Sequence, residues 1–299
     1  MDLVSHNDAS AFLTVAQSFL ESTDGAANHH VIQIAHAVGN ESPFFAPPYL
    51  FWTAEGVDSG KVAGAAVCAN PDGLVLSRSF PDACLEPLLG SAAANNVQPK
   101  RLVCDEQSAG KASDAYRSVF GAHLGRAGGW VVASTASISE TSRNKTETVR
   151  RGAKDDQSLV IEWARHYELE TPSFIDIPTF IRMKLASGEL YVLEDDEVRS
   201  MATVSGVTGT GARISSVFTP EPYRRNGFAG HLVRTIANDL LMNGSKFVML
   251  TYERGSPVAT VYEAIGFQAV CYRECLAIRD QGTPWRKAKS RERDAIAFE

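Results

Sequence analysis

The sequence predicts an α/β fold made of two copies of one unit arranged in tandem. Strand-like and helix-like segments alternate along the 299 residues, and both halves end in the same order: strand, helix, strand, helix, strand. A polar run, SETSRNKTET, occupies 139–148 between the halves. We therefore expect one domain at 1–140, a second at 147–282 and a polar tail at 283–299.

The first half is expected to hold three strands and then two helices that alternate with further strands. Runs rich in β-branched and aromatic residues predict strands at 49–55, 61–69, 73–79, 101–105 and 130–136. The helices are expected at 82–95 and 113–124.

The second half repeats this order with clearer signals, beginning with a strand near Val149. Apolar residues at helical spacing predict helices at 156–167, at 177–186, from the loop before Leu232 to Asn243, and from Ser256 to Gly266. The strands are expected at 189–195, 198–207, 212–219, 246–252 and 267–278.

The most informative stretch is VFTPEPYRRNGFAGHL, at 217–232. It predicts a strand, a proline-marked turn, a short loop and an amphipathic helix. The first N–H groups of a helix have no partner within the helix and carry partial positive charge. Arg224 and Arg225 add charge, while Gly227 and Ala229 let a ligand approach the backbone. The stretch therefore predicts an anion site, and a pyrophosphate fits it best.

Around this loop, residues 214–267 resemble the GNAT superfamily, the acyl-CoA-dependent N-acyltransferases. The R-x-x-G-x-G/A signature is present as Arg224, Gly227 and Ala229, and YEAIGF at 262–267 matches a second family segment one strand downstream. The resemblance implies two tandem GNAT-like domains. Each would be a mixed, mostly antiparallel twisted sheet flanked by helices.

The resemblance also implies where acetyl-CoA, the expected acyl donor, would bind. The backbone of Val217, Phe218 and Thr219 would pair with the pantetheine amides, in a gap where this strand parts from the next. Backbone N–H groups beyond Arg224 would hold the pyrophosphate, reinforced by the arginine side chains. Those backbone groups belong to Arg225, Asn226, Gly227, Phe228, Ala229 and Gly230.

Tyr262 is, by resemblance, the acid that protonates the departing thiolate. Taken alone, a tyrosine on an apolar helix face is more often a core residue. A backbone N–H of 217–219 is expected to stabilise the developing oxyanion. The base stays open: Ser215 and Ser216 stand where some family members have a glutamate, and Glu253 could hold a water or be merely solvated.

Only the second half is expected to bind the cofactor. Two positions that are often asparagine in the family are Gly255 and Ala259 here, which puts one usual contact to the CoA arm in doubt, although backbone contacts would survive. The first half lacks the signature, and Asp82 and Glu86 near its first helix would repel phosphate. It would be a degenerate, structural or substrate-shaping copy, whose aromatic and proline cluster at 44–52 faces the acyl acceptor or packs in the core.

Composition excludes several other classes of function. The net charge of -6 argues against broad nucleic-acid binding, and no run approaches the ~18 apolar residues of a membrane span. No secretory signal is visible, so we expect a cytoplasmic protein whose five scattered cysteines are reduced. His29 and His36 could share a helix face, but no third ligand completes a metal set, so we expect solvated histidines and no metal.

We therefore expect an N-acetyltransferase that transfers an acetyl group to a primary amine by direct attack on the thioester. The amine would belong to a small molecule or a peptide. The alternative is a non-catalytic acyl-CoA-binding or sensing protein. Neither nucleic acid nor a membrane is an expected partner, and a homodimer is left open.

Overall fold

The computed structural model describes residues 1–22, 25–70, 73–139, 147–171 and 175–278, which form one twelve-stranded sheet flanked by helices. The strands of the first half are β1 (Asp2–His6), β2 (Ala46–Glu55), β3 (Val62–Asn70), β4 (Gly73–Leu76), β5 (Arg101–Asp105) and β6 (Leu124–Thr135). Those of the second half are β7 (Thr148–Arg151), β8 (Leu190–Glu194), β9 (Val198–Ser205), β10 (Gly211–Phe218), β11 (Phe247–Tyr252) and β12 (Gln268–Ile278).

The helices pack on the two faces of this sheet. In the first half they are α1 (Ala9–Ser22), α2 (Gly25–Gly39), α3 (Leu85–Ala94) and α4 (Ala109–Phe120). In the second half they are α5 (Gln157–Glu170), α6 (Ile177–Ala186), α7 (Phe228–Met242) and α8 (Val258–Ile265). Each helix buries an apolar stripe against the strands, and this packing supplies most of the stability of helices of this length.

The strand order is β1-β2-β3-β4-β5-β12-β6-β11-β10-β9-β8-β7. The pairs β4–β5 and β10–β11 are parallel, and the other neighbouring pairs are antiparallel. This confirms the predicted α/β class and the mixed, mostly antiparallel sheet.

The last strands of the two halves are exchanged. β12, at the end of the second half, pairs with β5 of the first half, whereas β6, at the end of the first half, pairs with β11 of the second. β6 and β12 also pair with each other at the centre of the sheet. The two units therefore share one continuous sheet. Residues 140–146 and 279–299, which contain the expected boundary and tail, lie outside the described residues, so the division at 1–140, 147–282 and 283–299 remains a prediction.

β6 begins earlier than the sequence indicates, at Leu124 rather than at 130. The run LGRAGG weakens the strand signal because glycine packs no side chain and favours other conformations. Here it is needed, since a Cβ at Gly129 would lie 2.3 Å from the Tyr272 hydroxyl of β12. α4 accordingly ends at Phe120, where Gly121 adopts a left-handed conformation with φ of 66°.

α1 and α2 were not predicted as elements of the first half, and α2 contains the strongest departure from the sequence analysis. His29 is 1% exposed and meets the Phe247 ring of β11 edge-on at 5.8 Å between centroids. The prediction of solvated histidines is therefore wrong for His29. The periodicity of one helix could not show that its polar face is covered by the other half of the chain. Burial, and to a smaller extent the Arg213 cation, lower the pKa of His29 to about 3.

We expect this buried imidazole to make the protein less stable in mild acid. Below about pH 6.5 the unfolded chain binds a proton at His29 and the native chain does not, so stability falls as the pH drops from 6.5 toward 3. The contribution is about 1.4 kcal/mol per pH unit. Urea unfolding at pH 7.5 and pH 5 should show a smaller loss for His29→Gln than for wild type. The exposed His166→Gln is the control, and equal losses in wild type and His29→Gln would contradict the assignment.

Candidate functional site

β10 and β11 part in the middle of the second half and leave a gap between them. They pair in parallel only from Gly211 and Phe247 to Arg213 and Met249, although both strands continue beyond these residues. This is the divergence that the sequence resemblance implies. Backbone groups that line such a gap have no strand partner and can bind an extended ligand as an added strand.

A bulge in β10 lies at the edge of this gap. The register with β9 shifts between Ser215 and Phe218, and Ser216 has a φ of 48°. Bulges re-aim backbone groups and are common beside active sites. The carbonyl oxygen of Phe218 accepts a hydrogen bond from the Ser200 hydroxyl at 3.0 Å, and that of Thr219 accepts one from Arg224 Nε at 2.9 Å. Of the three strand residues predicted to bind the pantetheine arm, Val217 is the one that lies within the bulge, between the paired residues Ser215 and Phe218.

The strand leads through a short turn into the N-terminus of α7. Arg225 and Gly227 both have left-handed conformations, with φ of 65° and 81°. The first helical hydrogen bond runs from the His231 N–H to the Gly227 carbonyl at 3.0 Å. The N–H groups of three preceding residues therefore point out of the helix end. These residues are Phe228, Ala229 and Gly230.

The two arginines of the loop have different surroundings. Arg224 Nη2 lies 2.6 Å and 2.8 Å from the two carboxylate oxygens of Glu170, at the end of α5. Its side chain thereby joins the loop to the other face of the sheet. Arg225 is exposed, and Asn226 donates its side-chain amide to the carbonyls of Tyr223 and Arg224. Arg225 is therefore the better placed of the two to meet an anion from solvent.

Tyr262 lies on α8, with its ring in the core beneath the gap. It is 9% exposed, and its ring packs between those of Tyr252, 5.9 Å away, and Phe267, 6.1 Å away. Burial raises the pKa of Tyr262, and Tyr167 on α5 raises it further. The phenol is therefore protonated throughout the physiological range, the form an acid requires.

The opposite face of the gap is formed by α5, α6 and part of the first half. Trp163 and Tyr167 of α5 pack on Phe218, and Phe44, in the loop after α2, packs on Phe180 of α6 at 5.1 Å. Within the cluster at 44–52, Phe51 and Trp52 are buried in the core of the first half. The end of the cluster therefore packs in the core, as one of the two alternatives expected, and its start reaches the second half. A role of the cluster in facing the acyl acceptor stays a prediction.

The floor of the gap holds an arginine that the sequence analysis missed. Arg213, the last paired residue of β10, donates from Nη2 to the Thr251 hydroxyl of β11 at 3.2 Å. No local signal marks Arg213, since an arginine in a strand is usually read as solvent-facing.

Of the residues considered as a general base, Ser215 lies in a cluster of hydroxyl groups, 2.9 Å from that of Thr203 and 3.2 Å from that of Ser205.

The first half has a corresponding gap between β4 and β5, and protein side chains occupy it. The Asp105 carboxylate accepts from the Ser79 N–H at 2.6 Å and from Arg273 Nη1 at 2.5 Å. Arg273 of β12 also donates to the Leu76 carbonyl of β4. Backbone groups that a pantetheine arm would need are therefore already hydrogen-bonded.

α3, the helix that follows the gap of the first half, is also unsuited to binding a phosphate. Asp82 lies in the turn before α3 and receives Lys111 Nζ at 2.6 Å, and Glu86 is in the first turn of α3. The hydrogen bond from Lys111 lowers the pKa of Asp82, so it is a carboxylate at neutral pH. Its charge at a helix N-terminus disfavours a second anion.

In the described part of the chain, no helix combines the length and apolar character needed to cross a bilayer. No set of three or more histidine, cysteine, aspartate or glutamate side chains in these ranges is grouped as a metal site would need. No cysteine in the described ranges forms a disulfide bond.

Comparisons with known proteins agree with this geometry. Residues 193–276 match the family described as FR47-like protein. A search of curated protein sequences found no match.

Solved structures with a similar fold span almost the whole chain. A Drosophila protein has a TM-score of 0.61 at 11% identity, with 93% of this chain and 98% of that chain covered. A GCN5-related N-acetyltransferase from Sphaerobacter thermophilus has a TM-score of 0.59 at 13% identity, covering 95% and 98%. A tandem GNAT protein from the clavulanic acid biosynthesis pathway has a TM-score of 0.53 at 13% identity, covering 92% and 98%. At these identities the likeness concerns the fold. The GNAT resemblance is thereby confirmed at that level: the chain has a tandem GNAT fold, and its second half carries the FR47-like match.

Proposed function

We propose that the protein is an acetyl-CoA-dependent N-acetyltransferase with one active site, in its second half. The observation that carries this proposal is the open gap between β10 and β11, which leads directly to the exposed N-terminus of α7. A gap for an extended arm followed by an anion site matches pantetheine joined to pyrophosphate. The occupied gap of the first half supports a single site per chain.

The cofactor would be held mainly by backbone groups. Val217 would pair with the pantetheine arm, and the N–H groups of Phe228, Ala229 and Gly230 would meet the pyrophosphate with the helix dipole behind them. Arg225 would add charge from solvent, while Arg224, held by Glu170, would fix the shape of the loop.

Bound acetyl-CoA would supply a thioester carbonyl that an uncharged amine can attack. The bulge at Ser216 re-aims the Val217 N–H, which we assign as the donor to the carbonyl oxygen as negative charge develops there. Tyr262 would give its proton to the departing sulfur from the opposite side of the gap. The amine nitrogen must lose one proton as the amide forms; β10 carries no carboxylate to take it, so this proton would pass to water, and the proton that Tyr262 gives to the sulfur would be returned to it from solvent.

That missing carboxylate favours a second candidate, a non-catalytic acyl-CoA-binding or sensing protein. The anion site at α7 would then persist, with Tyr262 acting only as a core residue. Release of free thiol from acetyl-CoA across a panel of primary amines separates the two. Thiol release with any amine identifies an enzyme, whereas acetyl-CoA binding without thiol release identifies a sensor.

Gly227→Glu tests the binding site itself. A carboxylate at the start of α7 would repel the pyrophosphate and oppose the helix dipole, so we expect acetyl-CoA to bind roughly 100-fold more weakly by calorimetry. Gly244→Glu is the matched control, because Gly244 is exposed, also has a positive φ, of 100°, and lies just beyond the other end of α7. Absence of binding in wild type, or equal weakening by both variants, would contradict the proposed site.

A further inference from the structure

Ser215 lies at the edge of the gap, on the face of the sheet opposite Tyr262. The pairing of β10 with β11 ends at Arg213, and the next residue, Ile214, packs in the core with Tyr262. Side chains alternate along a strand, so Ser215 points to the other face, which α5 and α2 cover. A thioester in the gap would therefore have the Tyr262 phenol on one side and the Ser215 hydroxyl on the other.

The Ser215 hydroxyl belongs to a cluster of three hydroxyl groups that joins β9 to β10. Its Oγ lies 2.9 Å from Thr203 Oγ1 and 3.2 Å from Ser205 Oγ, and Thr203 and Ser205 are both buried. Thr203 Oγ1 also lies 3.1 Å from the Ser215 carbonyl oxygen, to which it can donate. In each hydroxyl pair either oxygen can be the donor, so a proton can pass from one oxygen to the next.

Three titratable side chains that interact at the start of the gap are unsuited to take a proton from the amine. Burial raises the pKa of Tyr167 on α5, which therefore stays a phenol at neutral pH. Burial lowers the pKa of His29 on α2 to about 3, so its imidazole stays uncharged. Arg213 influences the pKa of both groups and is itself a cation that keeps its proton. Ser215, in contrast, can accept one proton while it gives up another.

The Ser205 end of the cluster lies beside α2 of the first half. Ser205 is followed by Gly206, in the turn before β10, and a Cβ at Gly206 would lie 2.8 Å from Gln33 Cδ. Gln33 Oε1 and His36 Nε2 are buried without a hydrogen-bond partner among the described residues, as is usual where water completes a polar site. Both side chains are also partly exposed, so solvent can reach this side of α2, next to Ser205.

We propose that the Ser215 hydroxyl takes the proton of the attacking amine and passes its own proton through Ser205 to water. This inference rests on the proposed acetyltransferase function and adds a catalytic residue to it. As the N–C bond forms, one amine proton moves to Ser215 Oγ, the Ser215 hydroxyl proton moves to Ser205 Oγ, and the Ser205 hydroxyl proton moves to water. Each serine ends with one hydroxyl proton and no charge. Ser205 and Thr203 act through Ser215, and Thr203 positions it from the neighbouring strand.

Removal of single hydroxyls tests the relay. We expect Ser215→Ala to lower kcat for thiol release from acetyl-CoA by roughly 10- to 50-fold, less than loss of a direct base, because water can enter the vacated space. Its Kd for acetyl-CoA should stay unchanged. Ser215→Thr keeps the hydroxyl and should retain most of the activity, while Ser205→Ala should lower kcat in the same direction. The control Ser134→Ala removes a strand hydroxyl from β6, two strands away from β10, and should match wild type.

The pH dependence of kcat separates a proton relay from a merely structural role. With an aromatic amine, which is uncharged above about pH 7, the wild-type kcat should be level, whereas that of Ser215→Ala should rise with pH as hydroxide takes the proton instead. A structural defect would lower kcat by the same factor at every pH, and that result would overturn the inference. So would a wild-type kcat in Ser215→Ala, or a larger loss in Glu253→Gln, which would assign the proton to Glu253.

Failure of the relay and failure of the proposed function give different results. If wild type releases no thiol with any amine, the acetyltransferase function is lost and the relay with it. If wild type is active and Ser215→Ala equals it, the relay alone is wrong.

Discussion

Replacing Asp105 by alanine is expected to lower the free energy of unfolding by about 3–5 kcal/mol, the largest effect on stability that we anticipate for a single substitution. Asp105 and Arg273 are both buried, and they are brought together by the pairing of β5 with β12. Removal of the carboxylate would leave a buried guanidinium without its counter-charge and the Ser79 N–H without its acceptor. Urea unfolding at pH 7.5, with two-state behaviour checked by two probes, measures the change.

The double variant Asp105→Leu with Arg273→Met separates the ion pair from simple packing. Replacement of both charges by apolar side chains of similar size is often nearly neutral, so the double variant should be much more stable than Asp105→Ala. A double variant as unstable as the single one would show that the ion pair itself is not the source of the loss. A loss below about 1 kcal/mol for Asp105→Ala would show that the site relaxes or admits water.

Tyr262→Phe is expected to have the largest effect on activity, a fall in kcat of roughly 100-fold or more with little change in the Kd for acetyl-CoA. The substitution keeps the ring between Tyr252 and Phe267 and removes only the proton that would reach the departing sulfur. Because burial raises its pKa, Tyr262 remains an acid well above neutral pH, so it adds no falling limb to the wild-type kcat profile below about pH 10.

Tyr252→Phe is the matched control, since it removes a neighbouring hydroxyl and keeps the ring contact with Tyr262. Its kcat should stay within about threefold of wild type. A large fall in kcat for Tyr252→Phe together with a small fall for Tyr262→Phe would identify Tyr252, on β11, as the acid. Unchanged turnover in both would leave protonation of the sulfur to water, and Tyr262 would then be a core residue.

Features encoded in short, contiguous segments could be predicted from the sequence. α6 was expected at 177–186 and is found there, and α8 ends before Gly266 as its C-terminal signal indicates. The segment 217–232 could likewise be predicted from its own residues, because its strand, its proline turn and the glycine at the start of its helix are all marked locally. Local propensity and spacing are sufficient for such elements because the relevant contacts lie within one or two helical turns.

Features that depend on contacts between distant segments could not be predicted in this way. The exchange of β6 and β12, the burial of His29 and the pair Asp105–Arg273 all join residues more than 100 positions apart. The contact of Arg213 with Thr251 joins nearer residues, but it too depends on how β10 and β11 are placed in the sheet. A single sequence contains no periodicity that marks such partners.

The exchanged strands also have a consequence for how the chain is made and inherited. β5 acquires its neighbour β12 only after more than 160 further residues have been synthesised, so the first half leaves the ribosome with an uncovered strand edge. The second half needs β6 in turn, so loss of either half would remove an interior strand from the sheet of the other. Expression of either half alone would yield a sheet lacking an interior strand, and the gene is therefore best regarded as one indivisible folding unit.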